Sequence, residues 1–261
     1  HLLNNPNFEF FNIDVNDKAA LGNVIKEHQP QGVIHFAAFK AVGESVEKPL
    51  TYYRNNVGGL ITLMEVLKEE NICNLVFSSS CTVYGEPDEI PVKESTQTKM
   101  AESPYGATKQ MGEIILKDNA NWLNTQCLRY FNPIGAHESG LIGELPIGVP
   151  NNLIPYLTQT VAGIRKELTV FGDNYNTTDG TCIRDYIHVM DLAEAHVFAV
   201  NRLINGEQNE SFEVFNIGTG NGSSVLEVIQ AFETANGISV PHKIGPRRAG
   251  DVIQVWAETT K

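Results

Sequence analysis

Apolar and polar positions follow two different periods along the first half of the chain. Short apolar runs predict buried strands at Gly32–Ala38, Asn74–Ser80 and Thr125–Asn132. Apolar residues three and four positions apart predict helices at Asp17–Glu27, Tyr52–Glu70 and Tyr105–Asn119. Strands that alternate with helices are typical of a parallel sheet with helices on its faces, so the pattern predicts an α/β fold.

The pattern changes after Gly135. Glycine and proline become dense between Gly135 and Pro155, and the predicted strands and helices shorten. We therefore expect residues 135–261 to form a smaller α/β region, interleaved with the sheet of residues 1–134. Ser103 and Pro104 mark the start of the helix at Tyr105, because proline is tolerated in a first turn.

Composition narrows the classes of function. The formal net charge of -12 offers no basic surface for nucleic acid. No apolar run approaches the roughly 20 residues that span a bilayer. The four cysteines form no CxxC pair, which favours reduced thiols and a cytoplasmic location.

Polar or small residues follow three of the predicted strands, at Ala37–Lys40, Ser78–Ser80 and Tyr130–Asn132. Ligands of open α/β sheets bind beyond the carboxyl ends of the strands. Each segment alone could be a plain loop, but three at one predicted edge indicate a cleft.

Tyr105 and Lys109 lie one turn apart on a predicted helix face. A free tyrosine has a pKa near 10, and a nearby ammonium is expected to lower this pKa. With the hydroxyl of Ser80 to orient a substrate, the pair could exchange a proton with a substrate hydroxyl. On its own, the spacing fits an exposed surface pair equally well.

SSSCTVYG (Ser78–Gly85) followed by SPYGATK (Ser103–Lys109) resembles the extended short-chain dehydrogenase/reductase family. Further segments narrow this resemblance to its UDP-glucose 4-epimerases. They are FAAFKAVGES (Phe36–Ser45), RYFNPIGAH (Arg129–His137), GVPNNLIPY (Gly148–Tyr156), DGTCIRDYIHVMDLA (Asp179–Ala193) and PRRAGD (Pro246–Asp251). The resemblance implies a Rossmann-like doubly wound parallel sheet in residues 1–134 that binds NAD, and a UDP-sugar-binding region in residues 135–261.

The same resemblance implies an activity in galactose metabolism: inversion of C4 in UDP-glucose and UDP-galactose through a 4-keto sugar and hydride exchange with NAD. Tyr105 would be the acid and base, Lys109 its electrostatic partner, and Ser80 a ligand of the sugar 4-hydroxyl. Residues implied to contact NAD are Asp14, Val15, Phe36, Ala37, Lys40, Asn55, Tyr105 and Lys109. Residues implied to bind the UDP-sugar are Ser80, Tyr105, Asn132, Asn152, Leu153, Thr169, Val170, Phe171, Arg184, Arg248 and Asp251.

Several of these residues have a plainer interpretation. Phe36 and Ala37 could be core residues, Asn55 could lie on a helix surface, and Arg184 could pair with Asp185 at the surface. Thr169–Phe171 could be an ordinary strand.

Three other features suggest sites but favour structural roles. DYIHVMD (Asp185–Asp191) lacks a second histidine at ligand spacing, so we expect no metal there. His35 is expected to be a core histidine. GTGNGSS (Gly218–Ser224) is expected to be a loop that leads into a helix capped by Ser223 or Ser224.

The sequence departs from the family in two ways. The family's glycine-rich turn, which faces the NAD pyrophosphate, has no counterpart near the start. We therefore expect an N-terminal segment and some C-terminal residues to be missing, and this chain alone to bind NAD poorly and to turn over slowly or not at all. Val255 occupies the position of an aromatic gate residue in some bacterial members, which suggests that N-acetylated sugars are accepted. A full-length form is expected to be a homodimer.

Two alternatives stay open. A nucleotide-sugar 4,6-dehydratase of the same superfamily would need a carboxylic acid near Ser80, where this chain has Ser80-Cys81-Thr82. A non-catalytic UDP-sugar-binding fragment would retain UDP but not NAD.

Overall fold

The computed structural model of the chain describes residues 5–248 and 251–261, so Ala249 and Gly250 of the PRRAGD segment lie outside the described residues. Its α-helices are α1 (Lys18–His28), α2 (Val42–Glu47), α3 (Pro49–Tyr52), α4 (Gly58–Glu69), α5 (Pro104–Asp118), α6 (Leu153–Val161), α7 (Val189–Ile204) and α8 (Val225–Asn236). Its strands are β1 (Val33–His35), β2 (Asn74–Ser80), β3 (Asn124–Tyr130), β4 (Asn132–Ile134), β5 (Leu168–Phe171), β6 (Ile183–His188), β7 (Phe212–Ile217), β8 (Gly222–Ser224), β9 (His242–Gly245) and β10 (Gln254–Val255).

The first sheet is parallel throughout, with the strand order β1-β2-β3-β7. Side chains of β2 alternate between its two faces. Leu75 and Phe77 pack with α1, α4 and α5, whereas Val76 packs with α7. Helices therefore cover both faces of the sheet, which confirms the predicted doubly wound α/β fold.

The later part of the chain adds two further sheets, one of four strands and one of two. β6 pairs in parallel with β4 and β10 and antiparallel with β8, while β5 pairs in parallel with β9. The predicted strand Thr125–Asn132 is correct only to Tyr130. At Phe131 the chain passes from the first sheet into β4, because β4 pairs with β6 instead of β7.

Two predicted elements are shorter than expected. The strand predicted at Gly32–Ala38 pairs only over Val33–His35, after which Phe36 and Ala37 leave the sheet. The helix predicted at Tyr52–Glu70 is divided by a π-helical turn, Tyr53–Val57. Such turns insert an extra residue into a helix and are frequent at functional sites. Here the turn contains Asn55 and Asn56.

β7 comes from the second half of the chain but completes the first sheet, so the two halves are interleaved in space. The division at residue 134 stays a prediction. Within the described residues, no helix is both long and apolar enough to cross a membrane.

Candidate active site

The expected catalytic side chains meet where β2 ends and α5 begins. Ser80 is the last residue of β2, and Tyr105 lies in the first turn of α5. The Lys109 Nζ donates to the carbonyl oxygen of Ser78 at 2.6 Å and lies 5.9 Å from the centre of the Tyr105 ring. The structure thus brings Ser80, Tyr105 and Lys109 to one place.

The start of α5 is fixed by local sequence. The Ser103 Oγ accepts a hydrogen bond from the Gly106 amide at 3.2 Å, and Pro104 occupies the first helical position. Gly106 also permits a close approach to the turn after β2, because a Cβ there would lie 3.4 Å from the Thr82 carbonyl oxygen. These contacts confirm the predicted helix start and hold Tyr105 beside Ser80.

Burial dominates the electrostatics of the tyrosine and the lysine. It raises the pKa of the Tyr105 hydroxyl to about 12, and the nearby Ser80 hydroxyl offsets only part of this rise. It lowers the pKa of the Lys109 amine to about 8. The predicted fall in the pKa of Tyr105 is wrong for this geometry, because desolvation disfavours the phenolate by more than the Lys109 ammonium, which donates to the Ser78 carbonyl, can favour it.

His35 is buried in β1 beside the Phe77 ring, with the two ring centres 6.1 Å apart. Burial lowers its pKa to about 4, so the imidazole is neutral at physiological pH. The prediction of a core histidine is confirmed.

The residues expected to anchor UDP form a charged cluster beside the second sheet. The Asp251 carboxylate lies 2.7 Å from the Arg248 guanidinium and 3.8 Å from that of Arg184. The Arg184 side chain is mostly buried, whereas Arg248 is half exposed and lies over the Phe171 ring. Two guanidinium groups thus converge on one carboxylate at a partly open site.

The plainer interpretation of Arg184, a surface ion pair with Asp185, is wrong. Asp185 is fully buried, and its carboxylate accepts hydrogen bonds from the amides of Thr219, Gly220 and Ala257. A carboxylate that accepts several amide protons is satisfied without a cation. The guanidinium of the neighbouring Arg184 is therefore available to pair with Asp251.

The glycine-rich segment Gly218–Ser224 wraps around Asp185. A Cβ at Gly218 would lie 2.4 Å from the Asp185 Oδ2, so only glycine fits there. Ser224 caps α8, and Glu227 completes a capping box with it. The predicted cap is confirmed as Ser224, but the predicted loop is correct only up to Asn221, because Gly222–Ser224 forms the short strand β8.

The other expected UDP ligands lie around this cluster. β4 places Asn132 opposite Tyr186, which shares a face of β6 with Arg184. Asn152 precedes α6, and its Nδ2 donates to Glu144 at 2.7 Å. Three further residues lie in or beside the apolar core beneath α6 and β5. They are Leu153, Thr169 and Val170, of which Val170 is fully buried.

The residues expected to contact NAD lie along the edge of the first sheet. Phe36 is 56% exposed and its ring lies 4.6 Å from that of His196, while Ala37 is exposed. The alternative that Phe36 and Ala37 are core residues is therefore wrong. Lys40 is exposed, with its Nζ 3.5 Å from Glu144, and the Asn55 Nδ2 donates to a neighbouring asparagine.

Asp14 and Val15 lie in the segment that precedes α1. The exposed Asp14 carboxylate accepts hydrogen bonds from the amide and the side chain of Asn16, which lower its pKa. Val15 packs against Gly59 of α4, where a Cβ would lie 2.9 Å from the Val15 side chain. The loop thus rests closely on α4.

This edge suits a dinucleotide. It offers an exposed aromatic ring at Phe36, a solvent-facing ammonium at Lys40 and the amide of Asn55, next to Tyr105 and Lys109. Aromatic surface would cover a flat ring, and an ammonium would pair with phosphate oxygens. The residues present therefore fit NAD.

Two residues that support the site were missed by the sequence interpretation. Asn56, in the π-helical turn, binds both the amide and the carbonyl of Phe39 and donates to Thr108 of α5. It thereby ties the cofactor edge to the catalytic helix. Glu144 accepts from Asn152 and pairs with Lys40, so it joins residues expected to bind different ligands. The π-helical turn depends on packing, and no sequence pattern marked either residue.

Comparisons with known proteins show the family of the chain. The model of the NAD dependent epimerase/dehydratase family matches residues 1–218. UDP-glucose 4-epimerase 2 of Arabidopsis thaliana is 51% identical over 262 residues, covering 99% of this chain and 74% of the relative. The UDP-glucose 4-epimerase of Pasteurella multocida is 49% identical over 253 residues, covering 96% of this chain and 74% of the relative.

A solved structure extends the agreement to the fold. The crystal structure of UDP-glucose 4-epimerase from Bifidobacterium longum in complex with NAD+ and UDP superposes with a TM-score of 0.91 at 48% identity. The match covers 96% of this chain and 75% of that one. The chain therefore belongs to the NAD dependent epimerase/dehydratase family, among its UDP-glucose 4-epimerases.

Proposed function

We propose that this protein inverts C4 of UDP-glucose and UDP-galactose with NAD as its cofactor, in galactose metabolism. The observation that carries the proposal is the meeting of Ser80, Tyr105 and Lys109 at the carboxyl end of a parallel sheet, the usual ligand site of such sheets. Relatives named for this activity, with about half of the aligned residues identical, support the same conclusion.

Each residue has a distinct task in this reaction. Bound NAD supplies reversible hydride acceptance at the sugar C4. As the phenolate, Tyr105 takes the proton of the 4-hydroxyl, which Ser80 orients by a hydrogen bond, and as the phenol it gives the proton back when the hydride returns to C4. The Lys109 ammonium stabilises negative charge as it develops on the Tyr105 oxygen. NAD would be held by Phe36, Ala37, Lys40 and Asn55, with Asp14 and Val15 in the segment that precedes α1.

Inversion requires the 4-keto sugar to turn over while the nucleotide stays bound. The guanidinium groups of Arg184 and Arg248 suit this task, because each presents a fixed fork of donors to diphosphate oxygens. Asp251 lies between them and would accept hydrogen bonds from the uridine ribose. Asn132 and Asn152 add amides, and Thr169–Phe171 would lie along the uracil. The hexose is then left free to rotate.

Replacing Arg184 with methionine is expected to weaken UDP binding by about 30-fold, since a hydrogen bond to a charged group contributes about 2 kcal/mol. Asp251 keeps Arg248 at 2.7 Å, so its carboxylate does not lose every partner. Calorimetric titration with UDP measures the change without requiring turnover. Arg165→Met removes a guanidinium that stacks on Tyr156 of α6 and serves as the control. Unchanged UDP affinity in a folded Arg184→Met protein would remove Arg184 from the set of anchors.

The proposed activity can be tested directly. The purified chain is incubated with added NAD and UDP-galactose, and the sugar nucleotides are separated by anion-exchange chromatography. With NAD in excess to offset the weak NAD binding expected of this chain, we expect UDP-glucose to form slowly until the two sugars reach equilibrium. A 4-keto-6-deoxy product would indicate a dehydratase, and UDP binding without conversion would indicate a non-catalytic binding protein. Neither alternative is favoured by the relatives.

Sugar selectivity can be tested in the same assay with UDP-N-acetylglucosamine as substrate. Val255 lies in β10 beside Arg184 and is buried against Phe131, Val83 and Tyr84. We propose that this small side chain leaves room for an N-acetyl group. Absence of conversion of UDP-N-acetylglucosamine, with UDP-galactose converted, would contradict the proposal.

We also propose that the protein is a homodimer. Ile61 of α4 and Met111 and Ile114 of α5 are exposed apolar side chains on neighbouring helices, and a second copy could cover them. Sedimentation equilibrium would return the mass of two chains if this is correct. A cytoplasmic location is proposed on the basis of the four free cysteines.

A further inference from the structure

The catalytic helix is attached to β2 by three residues at successive turns. Tyr105, Lys109 and Glu113 are each four positions apart and therefore share one face of α5. On the strand side, Ser80 lies near Tyr105, the Ser78 carbonyl accepts from Lys109, and the Ser79 Oγ donates to Glu113 at 2.5 Å. The proposed catalytic reaction uses the first two contacts and leaves the third unexplained.

Glu113 is the most heavily bonded of the three. It is 8% exposed, and Arg129 of β3, itself 5% exposed, donates to both of its carboxylate oxygens at 2.9 and 2.6 Å. With the Ser79 bond, the carboxylate accepts three hydrogen bonds from two adjacent strands. This bidentate geometry fixes the position of the carboxylate in two directions.

The same arginine reaches the segment that follows Ser80. The Arg129 guanidinium lies over the Tyr84 ring, 4.8 Å from its centre, and the Tyr84 hydroxyl donates to Asn216 of β7 at 2.6 Å. Ser80 therefore lies between two fixed points, Ser79 on one side and Tyr84 on the other. Glu113 and Arg129 connect these points to α5.

Glu113 restricts movement of α5 along its own axis, which close packing against β2 does not prevent. A Cβ at Gly112 would lie 2.6 Å from the Phe77 ring, so the helix rests directly on β2. A smooth contact of this kind sets the distance between helix and strand but does not stop sliding along the axis. Directional hydrogen bonds stop such sliding: Thr108, Lys109 and Gln110 make them near Tyr105. Glu113 adds the bidentate contact to β3, about 12 Å along the axis from Tyr105 at about 1.5 Å per residue.

We propose that Glu113, through Arg129 and Ser79, is a positioning residue that sets the register of α5 on β2 and thereby places Tyr105 and Lys109 against Ser80. This inference rests on the proposed epimerase activity. A role in stability alone would not require this arrangement, since a buried ion pair often stabilises a fold no more than apolar residues of the same volume.

The primary test compares two buried glutamates. Glu113→Gln removes the charge that holds Arg129, whereas Glu213→Gln does the same to the Arg202–Glu213 pair between α7 and β7, away from α5. We expect Glu113→Gln to lower kcat by about 100-fold, the effect of a misplacement of about 1 Å, with KM for UDP-galactose unchanged. Glu213→Gln is expected to leave kcat unchanged.

A second readout needs no turnover. The Lys109 amine, whose pKa burial lowers to about 8, is titrated by NMR in the same proteins. If α5 shifts, the amine leaves the Ser78 carbonyl and its apolar surroundings, and we expect its pKa to rise towards the ordinary value of 10.5 in Glu113→Gln but not in Glu213→Gln. A general loss of stability would affect both proteins alike.

A double variant covers the case in which Glu113→Gln does not fold because Arg129 is left as an unpaired buried charge. Glu113→Leu/Arg129→Met replaces the pair with apolar residues and is expected to fold, but with the same loss of kcat and the same rise in the Lys109 pKa. A folded double variant with the kcat and the Lys109 titration of the unmodified chain would overturn the proposal. If the unmodified chain converts no sugar, the proposed activity fails, and the Lys109 titration still decides the positioning role.

Discussion

Replacing Tyr105 with phenylalanine is expected to lower kcat for UDP-galactose by about 1000-fold, within the range that a positioned general acid and base contributes. The substitution removes the hydroxyl that exchanges a proton with the sugar 4-hydroxyl. It keeps the aromatic ring, the Ser103 cap and the helix packing. Hydride removal from C4 would then leave the 4-hydroxyl proton without an acceptor.

The magnitude follows from how the site holds this hydroxyl. The pKa of Tyr105 is about 12, so the group is protonated throughout the physiological range and accepts the sugar proton only after its surroundings have favoured the phenolate. Ser80 and Lys109 are the neighbours placed to have this effect. Neither has a side chain that can take over the proton transfer in the same position.

Initial rates and UDP titrations on the same protein would separate chemistry from binding. Tyr156→Phe, which removes a hydroxyl from α6, is the matched control and is expected to retain kcat. We expect Tyr105→Phe to bind UDP normally, because Arg184 and Arg248 are untouched. A Tyr105→Phe protein that converts sugar at the unmodified rate would assign the proton transfer to another group.

The parts of the site that the sequence predicted are those set by local pattern. Ser80 ends an apolar run, and Tyr105 follows a serine and a proline that start a helix, so strand and helix ends meet by the ordinary geometry of a βα unit. The spacing of Tyr105 and Lys109 needed only the period of a helix. The short strands β8 and β10, of three and two residues, were not predicted because they are too short to show a period.

The parts that were missed depend on contacts distant in sequence. Glu113 and Arg129 pair across a helix and a strand, and Arg184 meets Asp251 at the other side of the site. The pKa of Tyr105 was predicted in the wrong direction because spacing reveals a neighbouring charge but not the loss of water around the phenol. The resemblance to the family identified Arg184 and Asp251 as substrate ligands, but it did not reveal that the two side chains pair with each other.

Replacing Lys109 with methionine is expected to have effects of opposite sign on activity and stability. Lys109 is 4% exposed, lies near the Phe77 ring and has a backbone carbonyl as its hydrogen-bond acceptor. Methionine has a similar length and no charge, so it would fill the same space. We expect kcat to fall by about 100-fold, because the cation that stabilises charge on Tyr105 is removed.

The gain in stability follows from the depressed pKa. The pKa of Lys109 is about 8 in the folded chain, whereas the ordinary value of 10.5 applies to the unfolded chain. Folding with this amine protonated at pH 7 therefore carries a penalty of roughly 3 kcal/mol. Loss of the hydrogen bond to the Ser78 carbonyl is expected to lower the stability by about 1 kcal/mol. The net gain in the free energy of unfolding is then about 2 kcal/mol. Buried cations at active sites commonly lower stability in this way.

The stabilising effect of Lys109→Met is expected to decrease as the pH rises. Between pH 8 and 10.5 the unfolded chain holds a proton that the folded chain has lost, so the Lys109 penalty is full below about pH 8 and disappears as the pH rises to 10.5. Urea unfolding across this range should show the stability difference between Lys109→Met and the unmodified chain shrinking as pH rises. Lys117→Met, an exposed position on the same helix, controls for the loss of one positive charge. A Lys109→Met protein that is less stable than the unmodified chain at pH 7 would show that the buried ammonium stabilises the fold, contrary to the desolvation argument.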